Sequence, residues 1–450
     1  MTSLWFETAL LPDGWAQSVR VEMAEGLIAR VETGVPATPE DERHAVAVPG
    51  LANVHSHGFQ RGMAGLAEYR GASDDDFWSW REVMYRFLDH LNPDDVEAIN
   101  AMAYVEMLEG GFTHVGEFHY LHNGIDGERY ANPAEMAERV VAAAEKTGIG
   151  LTLLPVFYAH SDFGGLPPKH GQRRFLNDID TFVKLLEACM STIPSDAILG
   201  LAPHSLRAVT PNELHALIKL HPDGPVHIHA AEQVKEVEAS IAFSGARPVE
   251  WLLDHAGIDA RWCLIHATQM TEGETVALAK SGAVAGLCPV TEANLGDGIF
   301  KALQFLLEGG RIGIGTDSNI LIGVADELRA LEYSQRLPHR ARNVLADDRI
   351  PSVGHRLYSA SLSGGAQALG IRAGIANGRR ADIVTLNAEH PSLYGRAGDQ
   401  LLDSWIFAAN NGCIDTVWRY GRKRVSSGRH IEADPITMRY KEVLKRVLQQ

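Results

Sequence analysis

Apolar and polar residues alternate along the first 49 positions of the chain, as in "WFETALLPDGWAQSVRVEMAEGLIARVE". Turn signals at Asp13-Gly14 and Glu25-Gly26 divide this stretch into short strands joined by tight turns. A similar pattern returns in "ADIVTLN" (381–387) and "IDTVWRYGRKRVSSGRHI" (414–431). We therefore expect residues 1–49 and 376–450 to form one small composite β-sandwich domain with a C-terminal tail.

Between residues 50 and 375, short apolar runs alternate with longer helical patterns such as 132–148, 178–193 and 236–258. Near-continuous apolar runs are typical of parallel strands that are buried on both faces. Eight strand–helix units in roughly 320 residues indicate an α/β fold, a TIM-like (β/α)8 barrel. A doubly wound open sheet is the rival, but no glycine fingerprint for a dinucleotide follows any strand. The predicted strands are 46–57, 113–120, 150–158, 198–205, 225–232, 262–268, 283–289 and 312–318.

Composition and charge exclude several classes of protein. The net charge of −16 disfavours nucleic acids and anionic membranes as partners. The 45% hydrophobic and 22% charged residues are typical of a globular protein, and no apolar run is long enough for a membrane span. The N-terminus lacks the pattern of a signal peptide, and four scattered cysteines do not build a disulfide scaffold. These features predict a cytoplasmic enzyme.

Polar residues end almost every predicted strand of the barrel. In a (β/α)8 barrel the active site lies at the carboxyl ends of the strands, so these side chains should converge on one cavity. They are His55, His57, Glu117, His119, Tyr158, His160, His204, His229, Glu232, His266 and Asp317.

Four of these residues suit a metal ion. His55 and His57 are two apart and would share one face of a strand. Taken alone, this pair also fits two hydrogen-bonded loop histidines, and Asp317 alone also fits a helix N-cap. Together with His229 at another strand end, they predict one divalent metal ion, Zn²⁺ first and Fe²⁺ as the alternative. His227 is assigned to the packed core.

The stretches "PGLANVHSH", "HIHAAE", "LIHAT" and "GIGTDS" resemble the amidohydrolase superfamily and its deaminase-like branch. The resemblance covers the whole chain, because that family also builds a composite β domain from both termini. It implies a homodimer and metal ligation by His55, His57, His229 and Asp317. The fourth predicted strand ends in "LAPHS", without the lysine that binuclear members carry there, which favours a single ion.

Further stretches resemble the formimidoylglutamate deiminases within that branch: "NVHSHGFQRGMAG" (53–65), "FWSWREVMY" (77–85), "GEFHYLH" (116–122), "APHSLRAV" (202–209) and "TEANLGDG" (291–298). This resemblance implies metal-dependent hydrolysis of N-formimidoyl-L-glutamate to N-formyl-L-glutamate and ammonia, in histidine degradation. The ion would lower the pKa of a water molecule. Glu232 or Asp317 would accept the water proton, Glu232 would pass it to a nitrogen, and His266 would orient the water.

A substrate with two carboxylates needs fixed cations, and guanidinium groups bind carboxylates in a bidentate manner. Arg207 follows the fourth strand, and Arg81 lies in the insertion after the first strand. Gln60, Tyr120 and His204 are expected to supply further hydrogen bonds to this small dicarboxylate amidine. The aromatic residues Phe77, Trp78 and Trp80 are assigned mainly to packing in the insertion.

Two other functions remain open from the sequence. One is a deaminase or chlorohydrolase that acts on a purine, pyrimidine or triazine ring, which would need aromatic stacking and fewer arginines at the mouth. The other is a barrel that has lost catalysis and serves as a binding protein. The presence of every metal and proton-transfer position disfavours this second function.

Overall fold

The computed structural model describes residues 2–70, 75–409 and 411–449. Its strands are β1 (Thr2–Leu11), β2 (Gly14–Ala24), β3 (Leu27–Glu32), β4 (Glu42–Pro49), β5 (Leu51–Ser56), β6 (Phe112–His119), β7 (Gly150–Phe157), β8 (Ile198–Leu199), β9 (Ala202–Pro203), β10 (Val226–Ala230), β11 (Trp262–His266), β12 (Val284–Leu287), β13 (Arg311–Ile314), β14 (Ile383–Leu386), β15 (Ile414–Arg419), β16 (Arg422–Ser426) and β17 (Arg429–His430).

The helices are α1 (Phe77–Leu88), α2 (Pro93–Glu109), α3 (Glu135–Thr147), α4 (Ile179–Thr192), α5 (Pro211–Leu220), α6 (Val234–Ser244), α7 (Pro248–His255), α8 (Glu272–Ser281), α9 (Pro289–Leu295), α10 (Ala302–Leu307), α11 (Val324–His339), α12 (Val353–Ala368), α13 (Asp399–Ala408) and α14 (Ala433–Val447). Within the described ranges, no helix combines the length and apolar character that crossing a bilayer requires.

Strands from both ends of the chain form one eight-stranded sheet, in the order β17-β16-β15-β14-β4-β1-β2-β3. The sheet curls back on itself, because Leu27 of β3 bridges Arg380 just before β14. Apolar side chains from both halves, such as Phe6, Val21 and Trp418, share a small core. The composite domain therefore exists as a structural unit, while its boundaries at 49/50 and 375/376 stay a prediction.

Parallel strands β5 to β13 form the barrel, and β8 and β9 together occupy its fourth position. The barrel closes through bridges from Leu201 to Val226 and from Ser205 to His229. The predicted (β/α)8 fold is confirmed. All the strand ends that carry the candidate chemistry point to the same mouth.

The predicted strand 46–57 is two strands. β4 belongs to the terminal sheet and β5 to the barrel, with Gly50 between them. A Cβ on Gly50 would lie 2.3 Å from Cγ2 of Thr113, so only glycine lets the chain pass from one sheet to the other at this point. The apolar pattern is continuous across this junction because both strands are buried.

The helical stretch 236–258 also divides, into α6 and α7. Gly245 ends α6 in the left-handed conformation, with φ of +78°. Pro248 occupies the first turn of α7, where its missing N–H costs no hydrogen bond. The turn changes the direction of the chain, so the apolar faces of the two helices are not continuous.

Candidate metal and substrate site

Nitrogen and oxygen donors from three barrel strands meet at the mouth. Nε2 of His229 lies 3.1 Å from Nε2 of His55. Oδ1 of Asp317 lies 3.2 Å from Nε2 of His57 and 3.4 Å from Nε2 of His55. All four side chains are buried. His55 lies within 4.8 Å of each of the other three predicted ligands, and His266 lies equally close to His55 and His229.

Backbone carbonyls determine which ring nitrogen of His57 and of His229 faces the other predicted ligands. Nδ1 of His57 donates to the carbonyl of Phe118 at 2.9 Å, and Nδ1 of His229 donates to that of His204 at 3.1 Å. The Nε2 lone pairs therefore face the cluster, an arrangement common among metal-binding histidines. Burial lowers the pKa of His57 and His229, so both rings are neutral.

His55 is the third histidine of the cluster. Burial lowers its pKa well below the usual range, so its ring is also neutral. Three neutral imidazoles and one carboxylate fit Zn²⁺, with Fe²⁺ as the alternative, since both accept mixed nitrogen and oxygen ligands. His227, two residues before His229, instead donates from Nε2 to the carbonyl of Ala368 at 2.8 Å and lies in the core.

Two residues of the site, His266 and Asp317, have left-handed backbone conformations. His266 has φ of 69° and Asp317 has φ of 41°, values that non-glycine residues seldom adopt. The N–H of Asp317 donates to the carbonyl of His55, and the N–H of His57 donates to that of Asp317, both at 2.9 Å. These bonds join the first and eighth barrel positions and hold the strained backbone in place.

His266 and Glu232 lie close to each other and to Asp317. Nε2 of His266 lies 3.8 Å from Oε1 of Glu232 and 3.7 Å from Oδ2 of Asp317. Burial raises the pKa of Glu232 to about 7. For His266, burial opposes the charged form, but Glu232, Glu292 and Asp317 overcome it and raise the pKa of the ring well above its usual value. Glu232 can therefore accept or release a proton near neutral pH.

A cavity of about 560 Å³ opens above these groups. Every predicted site residue except His55 lines it: His57, Gln60, Arg81, Tyr120, His204, Arg207, His229, Glu232, His266 and Asp317. Tyr158, which was expected at this mouth, also lines the cavity. The rest of the wall comes from residues that were assigned to packing or not considered: Phe77, Trp80, Met84, Tyr85, Phe175 and Leu295. The lining therefore combines three of the predicted ligands, His57, His229 and Asp317, with several aromatic rings.

Arg81 and Arg207 both line the cavity, and both lie close to the ring of Trp78. The Cζ atoms of Arg81 and Arg207 lie 4.3 Å and 5.5 Å from the centre of the Trp78 ring. Within the described ranges, neither guanidinium forms an ion pair, and each has a buried Nε without a hydrogen-bond partner. Their charges are therefore free to bind an anionic ligand.

Neutral polar groups line the same cavity. Nε2 of Gln60 donates to the hydroxyl of Tyr120 at 2.7 Å, while Oε1 of Gln60 is buried without a partner among the described residues. The imidazole of His204 packs edge-on against Tyr158, with ring centroids 4.6 Å apart. These groups can donate to or accept from a polar substrate.

Sequence reasoning assigned no role to Glu292, whose Oε1 lies 3.3 Å from Nδ1 of His266. The sequence feature that could have indicated Glu292 is the stretch "TEANLGDG" just after β12, where a glutamate follows a strand as Glu232 follows β10.

The aromatic insertion contributes more to the site than the sequence analysis predicted, since Phe77 and Trp80 both line the cavity. Buried residues of α1, including Met84 and Phe87, pack in a core shared with Tyr120 and Phe175, and Asp76 at the start of α1 also pairs with Lys235 of α6 at 2.7 Å.

Cys288 also lies close to this cluster, with Sγ within 4.8 Å of donor atoms of His266 and Asp317. Burial raises the pKa of its thiol well above the usual value. Cys288 is therefore a further group close to the four predicted ligands, which already suffice for a four-coordinate ion.

Comparison with known proteins places this site in a family. Residues 46–424 match the amidohydrolase family, and residues 1–45 match the N-terminal domain of formimidoylglutamate deiminase. A formimidoylglutamate deiminase from Pseudomonas aeruginosa is 48% identical over 452 residues, covering 100% of both chains.

Solved structures agree with this assignment. An amidohydrolase from Brucella melitensis superimposes with a TM-score of 0.96 at 55% identity, covering 100% of both chains. An adenosine deaminase from Xanthomonas campestris with bound zinc has a TM-score of 0.82 at 21% identity, covering 100% of this chain and 99% of the other, which shows the shared fold. The chain therefore belongs to the amidohydrolase family, among relatives that include formimidoylglutamate deiminase.

Proposed function

We propose that this chain hydrolyses N-formimidoyl-L-glutamate to N-formyl-L-glutamate and ammonia, as part of histidine degradation. The observation that carries the proposal is the pair of unpaired guanidinium groups, Arg81 and Arg207, in the same cavity as the metal donors. Full-length similarity to a formimidoylglutamate deiminase supports the same substrate.

The two arginines suit a substrate with two carboxylates. Guanidinium groups form paired hydrogen bonds to carboxylates, and the buried Nε atoms of Arg81 and Arg207 lack other partners. Binding the carboxylates there would direct the amidine end of the substrate toward Glu232 and His266. Gln60, Tyr120 and His204 are proposed to complete the hydrogen bonds.

We propose that His55, His57, His229 and Asp317 hold one divalent ion, Zn²⁺ or Fe²⁺. When bound, the ion would act as a Lewis acid that makes a water molecule more acidic. Zinc in the related adenosine deaminase structure and the nitrogen–oxygen donor set support this assignment.

Glu232 carries the proton in the proposed reaction. Its carboxylate accepts a proton from the attacking water, whose oxygen bonds to the amidine carbon. Glu232 then returns the proton to the departing nitrogen. Asp317 takes the remaining proton of the added hydroxyl as the C=O bond forms, the C–N bond breaks and ammonia leaves. His266 holds the water and stabilises the charge that develops on its oxygen. Asp317 is the second candidate to accept the water proton.

A ring substrate is the second candidate function, because aromatic side chains line much of the cavity wall. Rings such as Trp80 and Phe175 could stack on a purine or triazine. Two unpaired arginines are poorly matched to an uncharged ring, however, because their charge would be desolvated without a partner. The geometry therefore favours the dicarboxylate amidine.

The test is ammonia release by metal-loaded enzyme from N-formimidoyl-L-glutamate, beside guanine, cytosine and S-adenosylhomocysteine. We expect rapid release from the formimidoyl compound alone, with N-formylglutamate as the product. Turnover of a ring amine without turnover of the formimidoyl compound would overturn the proposed substrate. Absence of turnover on all four compounds by an enzyme with a full metal complement would overturn the function.

Other properties belong to the same proposal. We infer one ion per chain, a homodimer and a cytoplasmic enzyme without nucleic-acid or membrane partners. The charge of −16 and the missing lysine in "LAPHS" support the absence of polyanion partners and the single ion. The resemblance to the superfamily supports the dimer. Metal analysis and light scattering test the ion count and the oligomeric state.

A further inference from the structure

A second cavity lies at the opposite end of the barrel, where the barrel meets the terminal sheet. Its volume is about 920 Å³. Residues just before β7 and β8, including Gly148 and Asp196, form one wall, and Arg419, Arg422 and Arg424 of the β15–β16 hairpin form the other. We call it the arginine cavity. Because β7 has eight residues, it is roughly 25 Å from the catalytic mouth.

Two arginines in this region have carboxylate partners. Nη1 of Arg419 lies 2.5 Å from Oδ2 of Asp196. Arg380 donates from Nη2 to the carbonyl of Asp196 at 2.8 Å, and its Nε lies 3.8 Å from Asp382. Asp196 and Asp382 are thus already shared between Arg380 and Arg419.

Arg422 and Arg424 have no such partner. Within the described ranges, neither of their guanidinium groups forms an ion pair. The other carboxylate that lines the cavity is Glu145. It is exposed, as Arg422 is, so these two charges lie at the rim, while Arg419, Arg424 and Asp196 lie deeper. The interior of the arginine cavity therefore holds more positive than negative charge.

Several donors in the cluster also lack hydrogen-bond acceptors. The Nε atoms of Arg380, Arg419 and Arg424 are buried without a partner among the described residues. Arg419 is 7% exposed, so bulk water does not reach most of its side chain. Burial, and then the neighbouring Arg419 and Arg422, lower the pKa of Arg424. Unmatched buried donors of this kind are costly unless an acceptor binds them.

The cluster is held in place before any ligand binds. A Cβ on Gly148 would lie 2.2 Å from Cζ of Arg424, so the guanidinium rests directly on the backbone at the end of α3. The Cζ atoms of Arg380 and Arg419 lie 5.4 Å and 5.5 Å from the centre of the Tyr420 ring. Ordered guanidinium groups lose little entropy when they bind an oxyanion.

We propose that the arginine cavity binds a small, doubly charged oxyanion, either a phosphate or a dicarboxylate. Its oxygens would accept hydrogen bonds from Arg422 and Arg424 and from the free Nε of Arg419. Because the cavity lies between the hairpin and the base of the barrel, the anion would tie the terminal sheet to the barrel. This site is separate from the substrate cavity and its metal donors.

The test measures binding of inorganic phosphate, and separately of succinate, to the metal-loaded full chain at constant ionic strength. Calorimetry gives affinity, and thermal unfolding gives the shift in Tm relative to chloride. We expect saturable binding and a rise in Tm of about 1–3 °C. Arg424→Gln and the more exposed Arg422→Gln should each weaken binding about 10-fold or more.

Two matched variants distinguish binding in the arginine cavity from binding to surface arginines and from binding in the substrate cavity. Arg30→Gln removes an exposed arginine of the same sheet, 60% exposed and paired with Glu32, and should leave anion binding unchanged. Arg207→Gln weakens any binding of these anions in the substrate cavity, and it should leave one site whose affinity Arg424→Gln lowers. Loss of binding in Arg207→Gln, or equal affinity in wild type, Arg424→Gln and Arg422→Gln, would overturn the proposal. Binding of only one probe would identify the anion class.

Discussion

Oε1 of Glu292 lies 3.3 Å from Nδ1 of His266, and this contact orients the imidazole at the mouth of the barrel. With Nδ1 bound to Glu292, the other nitrogen, Nε2, faces Glu232 and Asp317. Glu292 is itself fixed, because its Oε1 also accepts the N–H of Cys288 at 2.8 Å. Glu292 is therefore a positioning residue for His266.

Replacing Glu292 should slow turnover without removing the metal. Glu292→Gln keeps the size of the side chain but weakens its hold on the charged ring, and we expect kcat to fall about 10–100-fold with little change in KM. Steady-state kinetics and metal analysis measure both effects. Glu213→Gln is the matched control, since Glu213 contacts His160 at 2.9 Å outside the cavity. Equal kinetics for Glu292→Gln and wild type would contradict the positioning role.

Glu232 is expected to be essential for turnover and dispensable for the metal. Glu232→Ala removes the proposed proton carrier and should reduce kcat by at least about 100-fold, while the ion content stays near that of wild type. Atomic absorption on the purified variant measures the ion. A variant that loses its metal would show that Glu232 was wrongly assigned and is a ligand.

Removal of the metal should lower stability as well as activity. Chelation leaves three neutral imidazoles and Asp317 without the ion that joins them, and a tightly bound ion contributes about 4 kcal/mol or more. We expect a lower Tm that one equivalent of Zn²⁺ restores. The neighbouring histidines give a matched pair: His229→Gln should abolish metal binding, and His227→Gln should retain it because His227 contacts Ala368. Equal metal content in these two variants would contradict the ligand assignment.

Arg207 and Arg81 should determine substrate binding. Arg207→Gln and Arg81→Gln each remove charge-assisted hydrogen bonds, so we expect kcat/KM for N-formimidoyl-L-glutamate to fall about 10–100-fold, mainly through KM. Arg86→Gln, on the exposed face of α1, is the control and should behave as wild type. A normal KM in both cavity variants would remove the support for a dicarboxylate substrate.

His122 should make stability depend on pH. Burial lowers its pKa to about 4, and its Nε2 donates to the carbonyl of Val156 at 2.8 Å. An unfolded histidine titrates near 6.5, so unfolding takes up protons between these values and the free energy of unfolding falls as pH drops from 6.5 to 4. This group alone accounts for a loss of about 3 kcal/mol over that window.

Two variants separate the contribution of His122 to the pH dependence of stability from the contributions of the other buried histidines. His122→Gln should reduce the slope of unfolding free energy against pH, measured by urea denaturation. His215→Gln is the control, because His215 is exposed and also bonds a backbone carbonyl, that of His255, at 2.8 Å. Parallel curves for His122→Gln and wild type would show that protonation of His122 does not oppose folding.

The pattern of apolar and polar residues along the chain predicted much of the fold. Apolar runs of strand length, separated by helical repeats, were enough to indicate the barrel, because each strand is buried on both faces and its pattern does not depend on its partners. The same pattern failed at Gly50, where β4 and β5 are both buried and only their partner sheets differ. A one-dimensional pattern does not record which sheet a strand joins.

The sequence by itself determined which side chains stand at strand ends, because His55, His57, His229 and Asp317 follow from the period of a strand and the polarity of a barrel. Only the tertiary structure decided the contacts made across long separations. Glu292 reaches His266 across 26 positions, and Arg207 shares the ring of Trp78 with Arg81. The arginine cavity likewise joins Asp196 to Arg419. Such contacts depend on how strands and loops pack in three dimensions, which spacing along the chain does not encode.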